Sequence, residues 1–225
     1  MTRRLPGLFI LISTSLILVS GISSANEPEN LHLAKQAAIF YHDSGEYDYD
    51  LGVVAQKAQD YLEKRISENN KLKNKKRLAV VLDIDETSLS NYRHLLALDF
   101  GIIPEIYKET IMEAVDPVIP GTLELYKYAK LNGVAVFLIT GRTEDLKAAT
   151  IKNLNNAGYK DWDGLFFKPS SYQQTSIIPY KSSIRKRIQE SGYDIVLNIG
   201  DQYSDLAGGY SERSFKLPNP YYYIP

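Results

Sequence analysis

Short apolar runs alternate with amphipathic stretches over most of this chain. Leu78–Leu82, Val134–Ile139, Leu165–Phe167 and Ile195–Ile199 are strand-length runs, and Phe215–Leu217 is a candidate fifth. Three helices are predicted between them. Thr122 is the expected N-cap of the first, which runs to Leu131 and stops at Asn132-Gly133. Thr143 is the expected cap of the second, with Glu144 and Asp145 in its first turn and Gly158 as its stop. Ser182 is the expected cap of the third, which buries Ile184 and Ile188 and ends at Gly192. Strand–helix alternation with apolar strands predicts a Rossmann-like α/β fold: a parallel sheet with helices on both faces.

Two more helices are predicted ahead of the first strand. Leu33, Ala37 and Tyr41 are spaced by four over Leu31–Tyr41; Val54, Ala58, Tyr61 and Leu62 share a face between about Asp50 and Ile66. The polar stretch Glu68–Arg77 reads as a linker. More than thirty residues, Ser88–Gly121, separate the first strand from the helix at Thr122, too many for an idle loop. They predict a small, mostly helical cap (about 88–121) over the strand ends, with Tyr92, His94, Phe100 and Tyr107 at its mouth. The chain thus divides into residues 1–25, an N-terminal helical segment with linker at 26–77, and an α/β core at 78–225.

Residues 1–25 have the pattern of a secretory signal peptide: Arg3 and Arg4, an apolar stretch Leu8–Val19 broken by three hydroxyl residues, then small Ser23-Ser24-Ala25. Cleavage is expected after Ala25, which places the protein in the periplasm or outside the cell, with no membrane attachment afterwards. The whole chain carries a net charge of −1, and loss of the two arginines leaves −3. Such a balance offers no field for a nucleic-acid polymer. Cysteine is absent, which excludes disulfides and cysteine-linked lipids. His32, His42 and His94 lack metal-ligand spacing, and His94 is expected to be an exposed polar residue.

Polar chemistry collects where the strand runs end. The first is followed by Asp83-Ile84-Asp85-Glu86-Thr87, the second by Thr140-Gly141-Arg142, and the fourth by Gly200-Asp201-Gln202 with Asp205 four residues after Asp201. Lys181 lies just before the helix leading into the fourth strand. Carboxyl ends of parallel strands are where open α/β sheets bind ligands. If the first strand is central, Asp83, Asp85, Thr140 and Asp201 converge. Taken singly, each is an ordinary turn residue, cap or solvated side chain; taken together they indicate a site.

These motifs resemble the haloacid dehalogenase superfamily of phosphohydrolases, and more closely its acid phosphatase branch, which includes class B and class C acid phosphatases and plant vegetative storage proteins. Supporting segments are Asp83–Asn91, Leu138–Arg142, Ala157-Gly158-Tyr159, Tyr180-Lys181-Ser182, Gly200–Leu206 and Phe215–Pro220. The resemblance implies a haloacid dehalogenase-like core and a magnesium-dependent acid phosphatase acting on phosphomonoesters, nucleotides among them. It implies Asp83 as the nucleophile that becomes an aspartyl-phosphate, and Asp85 as general acid and base. Thr140, Gly141 and Lys181 would hold phosphate, with Lys181 also a catalytic cation. Mg²⁺ would be held by Asp83, the backbone carbonyl of Asp85, and Asp201, with Asp205 in support. Lys168 is a rival for the cationic role. Arg142 is open between a substrate contact and a structural salt bridge, and Glu86 has no assigned role. A storage or phosphate-binding relative, a phosphotransferase and a phospho-acceptor domain are the alternatives. The Tyr221-Tyr222-Tyr223 tail is expected to pack against the core.

Overall fold

The structure, a computed structural model, describes residues 27–225; the signal peptide expected at residues 1–25 lies outside the described residues. Two helices, α1 (Leu31–Asp43) and α2 (Glu46–Asn70), precede strand β1 (Arg77–Leu82). The cap contributes α3 (Tyr92–Ala97) and α4 (Pro104–Glu113). The core continues through α5 (Pro120–Leu131), β2 (Ala135–Thr143), α6 (Lys147–Ala157), β3 (Gly164–Lys168), α7 (Ile178–Glu190), β4 (Tyr193–Gly200), α8 (Tyr203–Leu206) and β5 (Arg213–Lys216). All strands are parallel, in the order β3-β2-β1-β4-β5. The central position expected for β1 is therefore observed, with Leu82 level with Leu138 on one side and Ile199 on the other.

Alternation along β1 assigns its side chains to two cores. Leu78, Val80 and Leu82 face a core shared with α2 and α5, through Leu62, Leu125 and Ala129. Ala79 and Val81 face the opposite core, with Ile184 and Ile188 of α7. The N-terminal helices thus cover one face of the sheet. Contact between α2 and α5 is close enough that a Cβ on Gly121 would lie 2.9 Å from the Cβ of Ala55. Leu62 and Leu125 are fully buried, and truncating either to alanine costs about 2–5 kcal/mol.

Several boundaries differ from the sequence reading. Helix α2 starts earlier, because Tyr47, Leu51, Ala55, Ala58 and Leu62 form one continuous buried stripe, and it runs on into the expected linker as far as Asn70. Helix α5 starts at Pro120, a residue already set to helical φ, so Thr122 is buried inside the helix rather than capping it. Pro179 likewise opens α7, leaving Ser182 within it. Strand β2 continues through Thr143, so Thr140, Gly141 and Arg142 sit on sheet backbone, and a 3₁₀ turn at Glu144–Leu146 precedes α6. Gly158 does end α6, with φ of 100°.

The cap is joined to the core by a short clasp. Leu89 bridges Val118, Ser90 N–H donates to the Pro117 carbonyl at 2.9 Å, and Ile119 N–H donates to the Ser88 carbonyl at 3.1 Å. That clasp fixes where the cap leaves the end of β1.

Candidate active site

The chain turns sharply after β1. Asp83 N–H extends the ladder by donating to the Ile199 carbonyl (3.1 Å), and the Ile84 carbonyl accepts from the N–H groups of Thr87, Ser88 and Leu89. This tight turn forces Glu86 to a left-handed φ of 48° and points Asp83 and Asp85 into the space above the strand ends. A cavity of about 430 Å³ opens there. Asp83, Asp85, Gly141, Arg142, Lys181, Asp201 and Asp205 all contribute to its floor.

Lys181 is buried between two carboxylates, 2.5 Å from Asp83 Oδ1 and 2.6 Å from Asp205 Oδ1. Among the described residues it is the one side chain that hydrogen-bonds the Asp83 carboxylate. Burial opposes its charge, but Asp205 and Asp83 outweigh that and hold the ammonium above its ordinary range. Burial raises the Asp83 carboxyl well above the usual range even though Lys181 pulls the other way. Lys168 also borders the cavity but is not buried.

Asp201 is fixed by its neighbours. Thr87 Oγ1 donates to one oxygen at 3.2 Å, and the amides of Gln202 and Asn219 donate to the other, each at 2.7 Å. Its carboxyl is pushed up to about 7 by burial, with Asp205 and Glu86 adding to the effect. Asp205 accepts from Gln202 N–H at 2.8 Å on the oxygen away from Lys181. It also packs on Gly200, where an added Cβ would come within 2.6 Å of the Asp205 side chain; only glycine leaves that room.

Oxygens of Asp83, Asp201 and Asp205 lie within 4.8 Å of one another. Lys181 is the cation bonded to two of these three buried acids, so full ionisation leaves an excess of two negative charges. A hard divalent cation fits an all-oxygen set of this kind.

Asp85 lies to one side, in the grip of Arg142. Its oxygens accept from Arg142 at 2.8–3.3 Å, from Asn91 Nδ2 at 2.8 Å and from Tyr107 Oη at 3.3 Å. Burial works against its charge, but Arg142 prevails and the carboxyl is held below its usual range. Arg142 both borders the cavity and forms a buried ion pair, so the two readings of it coexist. Its guanidinium also reaches Asp116 Oδ2 at 3.4 Å. Thr140 is fully buried, its hydroxyl oxygen accepting from Arg142 N–H at 3.0 Å; Gly141, rather than Thr140, borders the cavity.

Of the four cap residues expected at the mouth, Tyr107 lines the cavity. His94 is not exposed: it is buried and lies 3.0 Å from Asp116, because the cap folds its polar face inward onto Arg142 and Asp116. Tyr92 and Phe100 pack against Tyr221. The tail splits in role: Tyr221 is buried, Tyr222 lines the cavity and Tyr223 is exposed. Sequence reasoning assigned no site role to Asn91, Asp116, Gln202, Asn219 or Tyr222. The signal for Asn91 and Asn219 was their place within the quoted motif segments.

Comparison with known proteins places this geometry. Residues 22–225 match the HAD superfamily, subfamily IIIB (acid phosphatase). The chain belongs to that family. Acid phosphatase 1 of Solanum lycopersicum is 39% identical over 150 residues, covering 64% of this chain and 58% of the tomato protein. Vegetative storage protein 1 of Arabidopsis thaliana is 33% identical over 186 residues, covering 81% of this chain and 67% of that protein. The chain thus spans little more than half the tomato relative. A solved class C acid phosphatase from Bacillus anthracis, with tungstate bound, superposes with a TM-score of 0.71 at 24% identity and covers 86% of each chain. That likeness concerns the fold, and it agrees with the haloacid dehalogenase-like sheet.

Proposed function

We propose that this protein is an acid phosphatase that hydrolyses small phosphomonoesters through an aspartyl-phosphate on Asp83. The observation that carries the reading is Lys181, buried and bonded to both Asp83 and Asp205 at the carboxyl end of the sheet. A carboxylate so placed is held for in-line attack, and positioning supplies much of the acceleration in phosphoryl transfer. In the first step a bond forms from an Asp83 oxygen to phosphorus while the bond from phosphorus to the ester oxygen breaks. Asp85 gives that oxygen its proton, and the alcohol leaves. In the second step water attacks phosphorus, Asp85 takes the water's proton, and the bond to Asp83 breaks, releasing phosphate.

The Asp85 clamp bears on this sequence. Arg142 keeps Asp85 ionised, as the second step requires; the first requires it protonated. Arg142 borders the cavity, so an incoming phosphate dianion competes with Asp85 for the guanidinium and frees the carboxylate to accept a proton. Gly141 backbone and Lys181 are the proposed phosphate contacts, with Thr140 buried behind them and holding the Arg142 N–H, and with Lys181 neutralising charge on the phosphoryl oxygens.

Asp83, Asp201 and the Asp85 carbonyl are the proposed ligands of a Mg²⁺ ion, with Asp205 holding Lys181 beside them; the ion's chemistry is to neutralise charge between two anionic reactants. Transfer of the phosphoryl group to an alcohol instead of water uses the same residues. We further propose secretion, after removal of residues 1–25. Residues 26–225 should hydrolyse p-nitrophenyl phosphate, lose activity in EDTA and regain it with Mg²⁺. An inactive, well-folded protein under those conditions would overturn the reading in favour of a storage role.

A further inference from the structure

Glu86 is a buried carboxylate for which the proposed reaction has no use. It is fully shielded from solvent and its backbone is left-handed, with φ of 48°. Both features cost energy: a non-glycine residue in this region loses about 1–2 kcal/mol, and a buried carboxylate must be matched by donors. Such strain persists where the surroundings over-determine it, and it gathers at functional sites.

The donors to Glu86 come from two places. Asn91 donates its backbone N–H to Oε1 at 2.5 Å and its Nδ2 to Oε2 at 3.2 Å. Tyr222, in the C-terminal tail, donates its hydroxyl to Oε2 at 2.8 Å. Asn91 is shared: the same Nδ2 donates to Asp85 Oδ1 at 2.8 Å, while its Oδ1 accepts from Arg142 at 3.3 Å. The amide therefore cannot turn without breaking contacts to Glu86, Asp85 and Arg142 together. Tyr222 is itself held, its carbonyl accepting from Gln202 Nε2 at 3.3 Å, and the neighbouring Tyr221 is stacked with Phe100 at 5.8 Å between ring centres. Tyr222 lines the cavity.

We propose that Tyr222 and Glu86 are positioning residues for leaving-group protonation, acting through Asn91 to fix the carboxylate of Asp85 where the ester oxygen will lie. This rests on the phosphatase reading above. It assigns the tail a part in the reaction rather than in packing alone. A purely structural hydrogen bond would not need a strained, buried carboxylate at its centre, nor an amide shared with the general acid.

Tyr222→Phe removes one hydroxyl and keeps the ring; Glu86→Gln keeps the shape and removes the charge. The test compares both, and the double variant, on esters whose leaving groups run from p-nitrophenol to a primary alcohol. An alcohol needs protonation and nitrophenolate hardly does. We expect kcat on the alkyl ester to fall about tenfold or more in each single variant, and on p-nitrophenyl phosphate by under about threefold. The double variant should be no slower than the slower single, because both act through one chain of contacts. Equal losses on every ester, or losses that multiply in the double variant, overturn the proposal. A second readout does not depend on turnover: thermal unfolding of Tyr222→Phe, Asp85→Asn and their double variant. Non-additive shifts in Tm support the physical link between tail and general acid; additive shifts overturn it. If the unaltered protein hydrolyses no ester, the phosphatase reading fails, and the unfolding cycle still decides whether the link exists.

Discussion

Replacing Lys181 by methionine isolates the electrostatics of the site. The change keeps most of the apolar stem and removes the ammonium that bonds Asp83 at 2.5 Å and Asp205 at 2.6 Å. Removing one partner of a buried ion pair costs about 3–5 kcal/mol, because the remaining charge is stranded. For a domain of this size each kcal/mol is about 2–4 °C in Tm, so in EDTA the variant should melt about 6–20 °C below the parent at pH 8. The cost depends on pH in a direction the structure fixes. Burial already raises the Asp83 carboxyl, and loss of Lys181 removes the charge that opposes the rise. A carboxyl raised in the folded state contributes stability at low pH and loses it as pH climbs from its unfolded value, about 4, toward the folded value. Protonation relieves the stranded acids and comes more readily at pH 5 than at pH 8, so the deficit in Tm should be smaller at pH 5. Scanning calorimetry of both proteins at the two pH values, in EDTA and then with excess Mg²⁺, reads each expectation. A methionine variant that melts with the parent, or whose deficit does not grow with pH, would refute the view that Lys181 balances a buried acid cluster.

Other outcomes follow from the same geometry. Asp83→Asn should lower turnover of p-nitrophenyl phosphate by about 10⁴-fold or more while circular dichroism stays native, as expected when a nucleophile is removed from a set that acts as a unit. Asn219→Ala takes away one amide from Asp201 and should weaken Mg²⁺ activation by about tenfold or more, read as the Mg²⁺ concentration giving half-maximal activity. Burial, with the Asp85 charge next, pushes the Glu86 carboxyl up to about 7, so its contribution to stability is present below about pH 4.5 and lost as pH rises through 7. Glu86→Gln should accordingly flatten the stability profile between those values in urea titrations.

Much of the core was legible because its signals are local. Continuous apolar runs marked each strand, and aspartates directly after two of them marked the site. Asp83, Asp85 and Asp201 were singled out for that reason, and Lys181 for its place before the helix leading into the fourth strand and by resemblance. What escaped did so for distinct physical reasons. Thr122 and Ser182 looked like caps because a hydroxyl before an apolar face usually is one, but Pro120 and Pro179 set helical φ earlier and carried both helices past them. The length of α2 was underestimated because its stripe, from Tyr47 to Leu62, includes small alanines that contribute little apolar signal yet permit close approach to α5. His94 looked solvent-facing because its partner, Asp116, lies beyond the intervening cap helix. Asn219 and Tyr222 act on Asp201 and Glu86 across separations of 18 and 136 residues, and no periodicity encodes such a pairing.

That last separation bears on how the molecule is made. A ribosome releases the Asp83–Asn91 turn long before Tyr222, which follows Glu86 by 136 residues. During that interval Glu86 lacks its phenolic donor, and Asp201 and Lys181 do not yet exist to share the pocket. Contacts this distant are slow to form, since chain entropy must be lost before they contribute. The turn after β1 therefore cannot complete its contacts until β4 and the C-terminal tail have joined the sheet.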